Sequence, residues 1–301
     1  MGCSSRLSDD GVKGRVAIVT GGGRGIGEAT ALALAREGAR VVLAARTGAE
    51  LDRVVARIAQ LGGVARAVPM DVSQPAQVER LTQAALDAYG RIDVLVNGAG
   101  VAGPIGPLWE ADVAAWKRAI DVNLLGTFLC CHAVVPHMIK QRRGKVINIS
   151  GGGAASPLPR FSAYGASKAA VVRLTETLAE ELREFGVQVN AIAPGLVDTR
   201  LQDEVLAAGE RAGAQFARVR RLRETGEGGV PGELPAALAV WLASDRSNGL
   251  TGKLIAAPFD DWQTWDAARI AELTSSTWLT LRRLDHATVR PLRETMPRDA
   301  G

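Results

Sequence analysis

From residue 15 to residue 257 the chain alternates short aliphatic, β-branched runs with stretches of helical period, and no other feature restricts the fold as much. The runs at 15–20, 40–46, 64–72, 92–97, 145–150, 187–193 and 253–257 read as strands, and the stretches at 26–37, 49–61, 75–89, 113–140, 163–184 and 234–244 read as helices. Several strands are apolar at consecutive positions rather than alternate ones, as strands covered on both faces must be. Strand–helix–strand units cross over with a right hand, so the expectation is an α/β fold with one doubly wound parallel sheet of about seven strands and helices on both faces. That sheet uses residues 13–257. It leaves 1–12 as an N-terminal tail and 258–301 as a C-terminal extension, with no second domain and no internal repeat.

The link between the first strand and the first helix reads Thr20-Gly21-Gly22-Gly23-Arg24-Gly25-Ile26-Gly27. Glycine permits positive φ and lets backbone come close to a pyrophosphate, while the helix N-terminus offers it free N–H groups. In the first βαβ unit this is the dinucleotide-binding turn of a Rossmann-type sheet, and it makes Gly21, Arg24, Gly25, Ile26 and Gly27 candidate cofactor ligands. The second strand ends Leu43-Ala44-Ala45-Arg46-Thr47. An acidic residue there would hydrogen-bond the ribose hydroxyls of NAD. Ala45 cannot, whereas Arg46 and Arg24 suit a 2′-phosphate, so NADP(H) is expected over NAD(H).

Tyr164 and Lys168 lie four residues apart at the start of a helical stretch, which puts both side chains on one face, one turn apart. An ammonium near a phenol favours phenolate and lowers its pKa from ~10. Such a tyrosine exchanges protons with a carbonyl or alcohol oxygen. The same spacing also suits an uncoupled surface pair.

Taken together, Thr20–Gly27, Asp71-Val72, Asn97-Gly98-Ala99-Gly100, Asn123, Tyr164…Lys168 and Pro194-Gly195…Thr199 resemble the short-chain dehydrogenase/reductase family in order and spacing, over roughly residues 13–257. The resemblance implies hydride transfer between a nicotinamide and a small-molecule ketone, aldehyde or alcohol. It implies Tyr164 as acid/base, with Lys168 holding the nicotinamide ribose and Asn123 anchoring a water in a proton relay. Asp71 and Val72 would contact adenine, Asn97 would border its ribose, and Thr199 would bind the carboxamide. Gly98, Ala99, Pro194, Gly195 and Val197 complete the implied cofactor site, and a homotetramer or homodimer is the implied assembly.

Three positions depart from the family. It places a serine some thirteen residues before its tyrosine, and here that position is Gly151. Ser150 is one residue early and fills the role only if the loop carries an extra residue; Ser156 and Ser162 are further candidates. Gly98 replaces a second asparagine. The end of the sheet reads Ala257-Pro258-Phe259-Asp260-Asp261-Trp262, so the substrate wall there is not transferable.

The net charge of +4 is spread along the chain, and no basic block is interleaved with aromatics, which speaks against a nucleic-acid partner. Cys3, Cys130 and Cys131 have neither disulfide-framework nor metal-site spacing, so no metal is expected and a reducing cytoplasm is. No apolar h-region follows the first residues and no unbroken apolar run approaches the ~18–20 residues of a membrane span, so neither secretion nor a membrane span is expected. Residues 198–233 follow a strand end and read as a substrate flap. They contain Arg218, Arg220, Arg221 and Arg223, which are either a solvated face or a receptor for an anionic substrate. The extension carries Trp262, Trp265 and Trp278 and is expected to pack on its own subunit, on a neighbour or over the active-site mouth. Two other functions remain open: a non-catalytic NADP(H)-sensing or scaffolding protein on this fold, made conceivable by Gly151, and a nucleotide-sugar dehydratase or epimerase.

Overall fold

The structure is a computed structural model and describes residues 11–283; residues 1–10, with Cys3, and 284–301 lie outside the described residues. Seven strands, β1 (Val16–Thr20), β2 (Arg40–Ala45), β3 (Val64–Pro69), β4 (Val94–Asn97), β5 (Gly144–Ile149), β6 (Val187–Ala193) and β7 (Leu254–Ala256), form one parallel sheet in the order β3-β2-β1-β4-β5-β6-β7. Every residue of β1, β4 and β5 is buried, which is why β1 and β4 read as apolar at consecutive positions up to Thr20 and Asn97, while β5 also buries Lys145 and Asn148.

In β1, Ala17 and Val19 face one layer while Ile18 faces the other, the two-residue period of a strand. The first layer holds α1 (Gly25–Arg36), α2 (Gly48–Gln60) and α9 (Glu233–Ala243), packed through Leu34, Val54 and Leu238. The second holds α3 (Pro75–Tyr89), α4 (Val113–Ile120), α5 (Gly126–Gln141) and α6 (Ser162–Glu181), with Leu81, Val134 and Met138 at its centre. Thr20 is in register with both Ala44 and Asn97. The loops after β1 and β4 therefore leave the sheet side by side where the strand order reverses, the crevice in which such sheets bind ligands.

Two stretches differ from the sequence expectation. The helix expected at 113–140 is interrupted by a wide π-turn at Asp121–Leu125 between α4 and α5. Apolar periodicity cannot show this, because one π-turn shifts the helix face without ending it; such turns are frequent at functional sites. By length and composition, Val113–Gln141 is apolar enough to cross a membrane, yet 50% of its most apolar window is buried inside the protein, where Val134 and Met138 pack in the core. The flap contains α7 (Arg200–Ala208) and α8 (Ala214–Thr225), whose apolar sides meet around Phe161, Val205, Ala212 and Val219.

The described part of the C-terminal extension, residues 258–283, packs on its own subunit. Trp262 and Trp265 stand against Trp241 of α9, each with ring centroids 6.0 Å apart. After α10 (Ala267–Ser275) the chain crosses the open edge of β7, where the Leu254 amide donates to the Leu279 carbonyl at 2.8 Å and Lys253 Nζ donates to the Ser276 carbonyl at 2.7 Å. An otherwise unpaired sheet edge is thereby covered.

Candidate active site

A cleft of about 1010 Å³ opens at the carboxyl ends of the strands. Its floor is the turn after β1. Gly21 adopts φ +69°, and a Cβ there would lie 2.7 Å from the Gly98 carbonyl oxygen, so only glycine allows the two loops this close. Thr20 Oγ1 ties them together by accepting from the amides of Gly98 (3.1 Å) and Ala99 (3.3 Å). α1 starts at Gly25 without a side-chain cap, leaving its first-turn N–H groups available to an anion. This cradle fits a dinucleotide pyrophosphate.

The sequence-predicted residues Gly21, Arg24, Gly25, Ile26, Gly27, Arg46, Asp71, Val72, Gly98, Ala99, Pro194, Gly195, Val197 and Thr199 all line the cleft, together with Ser150, Tyr164 and Lys168. Arg46 is exposed and makes no hydrogen bond or ion pair among the described residues, whereas Arg24 is shared with Glu50 at 3.2 Å. Asp71 is tied down by its neighbours. Burial works to raise its pKa, but a 2.6 Å bond from Arg118 and bonds from the Ser73 amide and hydroxyl outweigh burial and hold the carboxyl at about 2.

Two predicted residues stand behind the cleft wall. Asn97 turns its side chain into the protein, where Nδ2 donates to Asn148 Oδ1 at 2.9 Å and to Cys131 Sγ at 3.4 Å. β4 ends at this residue, and strand alternation points it inward while Gly98 and Ala99 take the cleft. Asn123, fully buried in the π-turn, grips the loop after β4: Oδ1 accepts from the Val101 amide at 2.8 Å, and Nδ2 donates to the Val101 carbonyl and Ser167 Oγ, each at 2.9 Å. A Cβ on Gly100 would lie 3.4 Å from Asn123 Oδ1 and 3.5 Å from Lys168 Nζ, so both side chains converge on that glycine.

Tyr164 and Lys168 share one face of α6, with Lys168 Nζ 5.7 Å from the Tyr164 ring centre. Lys168 is buried and donates to the Ile149 carbonyl at 2.8 Å, without a carboxylate partner. Burial draws the ammonium down to about 8 and pushes the phenol up to about 12. The lowering of Tyr164 expected from its neighbour is thus not what the protein atoms produce, because desolvation of the phenolate outweighs a charge at that distance. The phenol therefore keeps its proton at neutral pH.

Among the described residues no serine hydroxyl hydrogen-bonds the Tyr164 hydroxyl. A Cβ on Gly151 would sit 3.0 Å from Tyr164 Cζ and 3.2 Å from Cε1, and closer still to the hydroxyl oxygen, so the phenol takes the space a side chain would need. Ser162 Oγ accepts from Trp116 Nε1 at 3.1 Å, which removes it from the cleft. Ser156 lines the cleft from an exposed loop. Ser150 is buried at the cleft floor, and its Oγ has no partner. The flap read at 198–233 contains the lining residues Leu201, Val205 and Gln215, but sequence reasoning singled out neither these nor Leu158, Phe161 and Phe259, because they come from four separate segments and carry no motif.

The family model described as short chain dehydrogenase matches residues 15–209. A 3beta-hydroxysteroid dehydrogenase of Eggerthella lenta is 39% identical over 245 residues, covering 81% of this chain and 92% of that protein. A 3-oxoacyl-[acyl-carrier-protein] reductase of Synechocystis is 43% identical over 194 residues, covering 64% of this chain and 78% of that protein. Among solved structures, an NAD+-bound xylitol dehydrogenase superposes with a TM-score of 0.76 at 29% identity, covering 81% of this chain and 98% of that one.

Proposed function

The chain belongs to the short-chain dehydrogenase/reductase family and is an NAD(P)-dependent oxidoreductase acting on CH–OH or C=O groups, and from that premise we propose that it uses NADP(H), with Tyr164 as its acid/base. The observation that carries this reading is Tyr164, one helical turn from Lys168 and with its ring centre 5.7 Å from Lys168 Nζ, in the same cleft as the glycine turn and Arg46.

In this reading the α1 N-terminus and the Gly21–Gly27 backbone hold the pyrophosphate, and Val72, Gly98 and Ala99 face the adenosine end. Arg46, with Arg24 beside it, receives the 2′-phosphate. Lys168 holds the nicotinamide ribose. Bound NADPH supplies a hydride to the carbonyl carbon. Tyr164 Oη gives its proton to the carbonyl oxygen, and the reverse transfers oxidise the alcohol. Ser150, whose hydroxyl is unpartnered, serves as second donor to that oxygen. Asn123 fixes the loop around Gly100 behind Lys168 and so keeps the proton path in place. The buried free thiols of Cys130 and Cys131 favour a reducing cytoplasm. Exposed apolar residues along α4 and α5, Val113 (81%) and Phe128 (45%), favour assembly into two or four copies.

A panel of ketones and aldehydes, followed by loss of NADPH absorbance, tests the reading. With NADPH deuterated at the transferable position, the product should carry deuterium on the carbinol carbon. Consumption of cofactor without that label would overturn hydride transfer to a carbonyl. Gly151 favours a second reading, a protein that binds NADP(H) without turning over substrate; tight cofactor binding with every carbonyl inert would select it.

A further inference from the structure

Four arginines fall within one short stretch of α8, and the structure separates one from the rest. Arg223 pairs with Asp198 at 2.6 Å and Asp203 at 2.8 Å. Arg221 pairs with Glu227, and Arg220 lies 3.8 Å from Glu224 with its guanidinium over the Phe216 ring. Arg218 alone of the four lines the cleft, and it makes no hydrogen bond or ion pair among the described residues. Val219 and Gln215, one and three positions away, line the same cleft, so this part of α8 is turned into it, and Val219 shares an apolar cluster with Tyr164.

The wall shared with Tyr164 is apolar, built from Leu158, Phe161, Leu201 and Val205. Arg200 also lines the cleft and makes no hydrogen bond or ion pair among the described residues, and among them Glu204 is the one lining carboxylate left unpaired, since Glu50 is held by Arg24 and Asp71 by Arg118. With Arg46 and Lys168 assigned to the cofactor, the exposed guanidiniums of Arg218 and Arg200 against Glu204 leave a net single positive charge on the rest of the lining. That balance suits a monoanion; a phosphate dianion would stay undercompensated beside Glu204.

Resting on the reading that Tyr164 works on a carbonyl, we propose that the substrate is a keto acid. It has a hydrocarbon body in the Leu158–Val205 chamber, its ketone at Tyr164 and a carboxylate at the far end held by Arg218.

The test uses alicyclic keto acids of increasing length, each paired with its methyl ester. KM is read from NADPH consumption and affinity from calorimetry on the cofactor-loaded enzyme. One acid in the series should show a KM about tenfold below that of its ester. Arg218→Leu should collapse this acid-to-ester ratio, while Arg220→Leu, outside the cleft, should preserve it. Glu204→Gln should widen it. Esters used as well as acids, or a ratio unmoved by Arg218→Leu, would overturn the proposal and leave the oxidoreductase reading intact. Arg218-dependent binding of an acid without any turnover would uphold the anion site and sink the assigned chemistry.

Discussion

Restoring the family's serine should harm this enzyme. In Gly151→Ser the new Cβ would stand 3.0 Å from Tyr164 Cζ and 3.2 Å from Cε1 before any adjustment. Carbon atoms settle at about 3.5–4.0 Å, so the ring must retreat by roughly half an ångström and the hydroxyl, nearer the intruding atom, by about 1 Å. The phenol is the free end of a side chain, so the fold accommodates the change with little loss of stability. Catalysis does not, because a misplacement of about 1 Å costs on the order of 10²-fold in rate. Single-turnover reduction under saturating NADPH should therefore slow about 100-fold in Gly151→Ser, and Gly151→Ala should do the same because Cβ alone suffices. Cofactor Kd and Tm should stay near the wild-type values. A Gly151→Ser enzyme as fast as the wild type, or faster, would refute the claim that Tyr164 occupies the serine's place.

The remaining expectations concern three other side chains. Ser150→Ala should lower kcat by about 10²–10³, as for loss of one oxyanion donor, while Tm holds or rises because a buried unpartnered hydroxyl has been removed. Arg46→Ala should weaken NADPH binding by about 10–100-fold and leave NADH binding nearly unchanged, as titrated by fluorescence. For Lys168, burial lowers the folded-state pKa from 10.5 to about 8. Below about pH 8 both states hold the proton and the desolvation penalty is present in full; between there and about 10.5 the unfolded chain holds a proton the folded chain lacks, so stability rises with pH. Lys168→Met should accordingly gain about 3 kcal/mol near pH 7, a Tm rise of several degrees that disappears toward pH 10.5 in thermal melts, together with loss of turnover.

The fold was legible because strands buried on both faces cannot hide their composition. Val16–Val19 and Val94–Val96 announce themselves as apolar runs, and β6 matches its expected bounds at both ends. The cofactor turn was legible because backbone packed on backbone demands glycine at Gly21. What stayed hidden depends on which way a residue points or on contacts remote in sequence. Asn97 sits at the right place in the chain but faces Asn148, since one step along a strand reverses the side. The π-turn around Asn123 leaves the apolar pattern continuous. The role of Gly151 emerges only when α6 brings Tyr164 beside it, thirteen residues later. Distinguishing Arg218 from Arg220, Arg221 and Arg223 required knowing which carboxylates lie within reach of each.

The most direct measurement is the hydride-transfer rate of Tyr164→Phe, followed by stopped-flow NADPH absorbance with a ketone that the wild type reduces. Removing the phenolic proton should slow transfer by about 10²–10⁴ while NADPH binds as tightly as before. Transfer at the wild-type rate would mean that the proton comes from another group, and Tyr164 would lose its role as the acid.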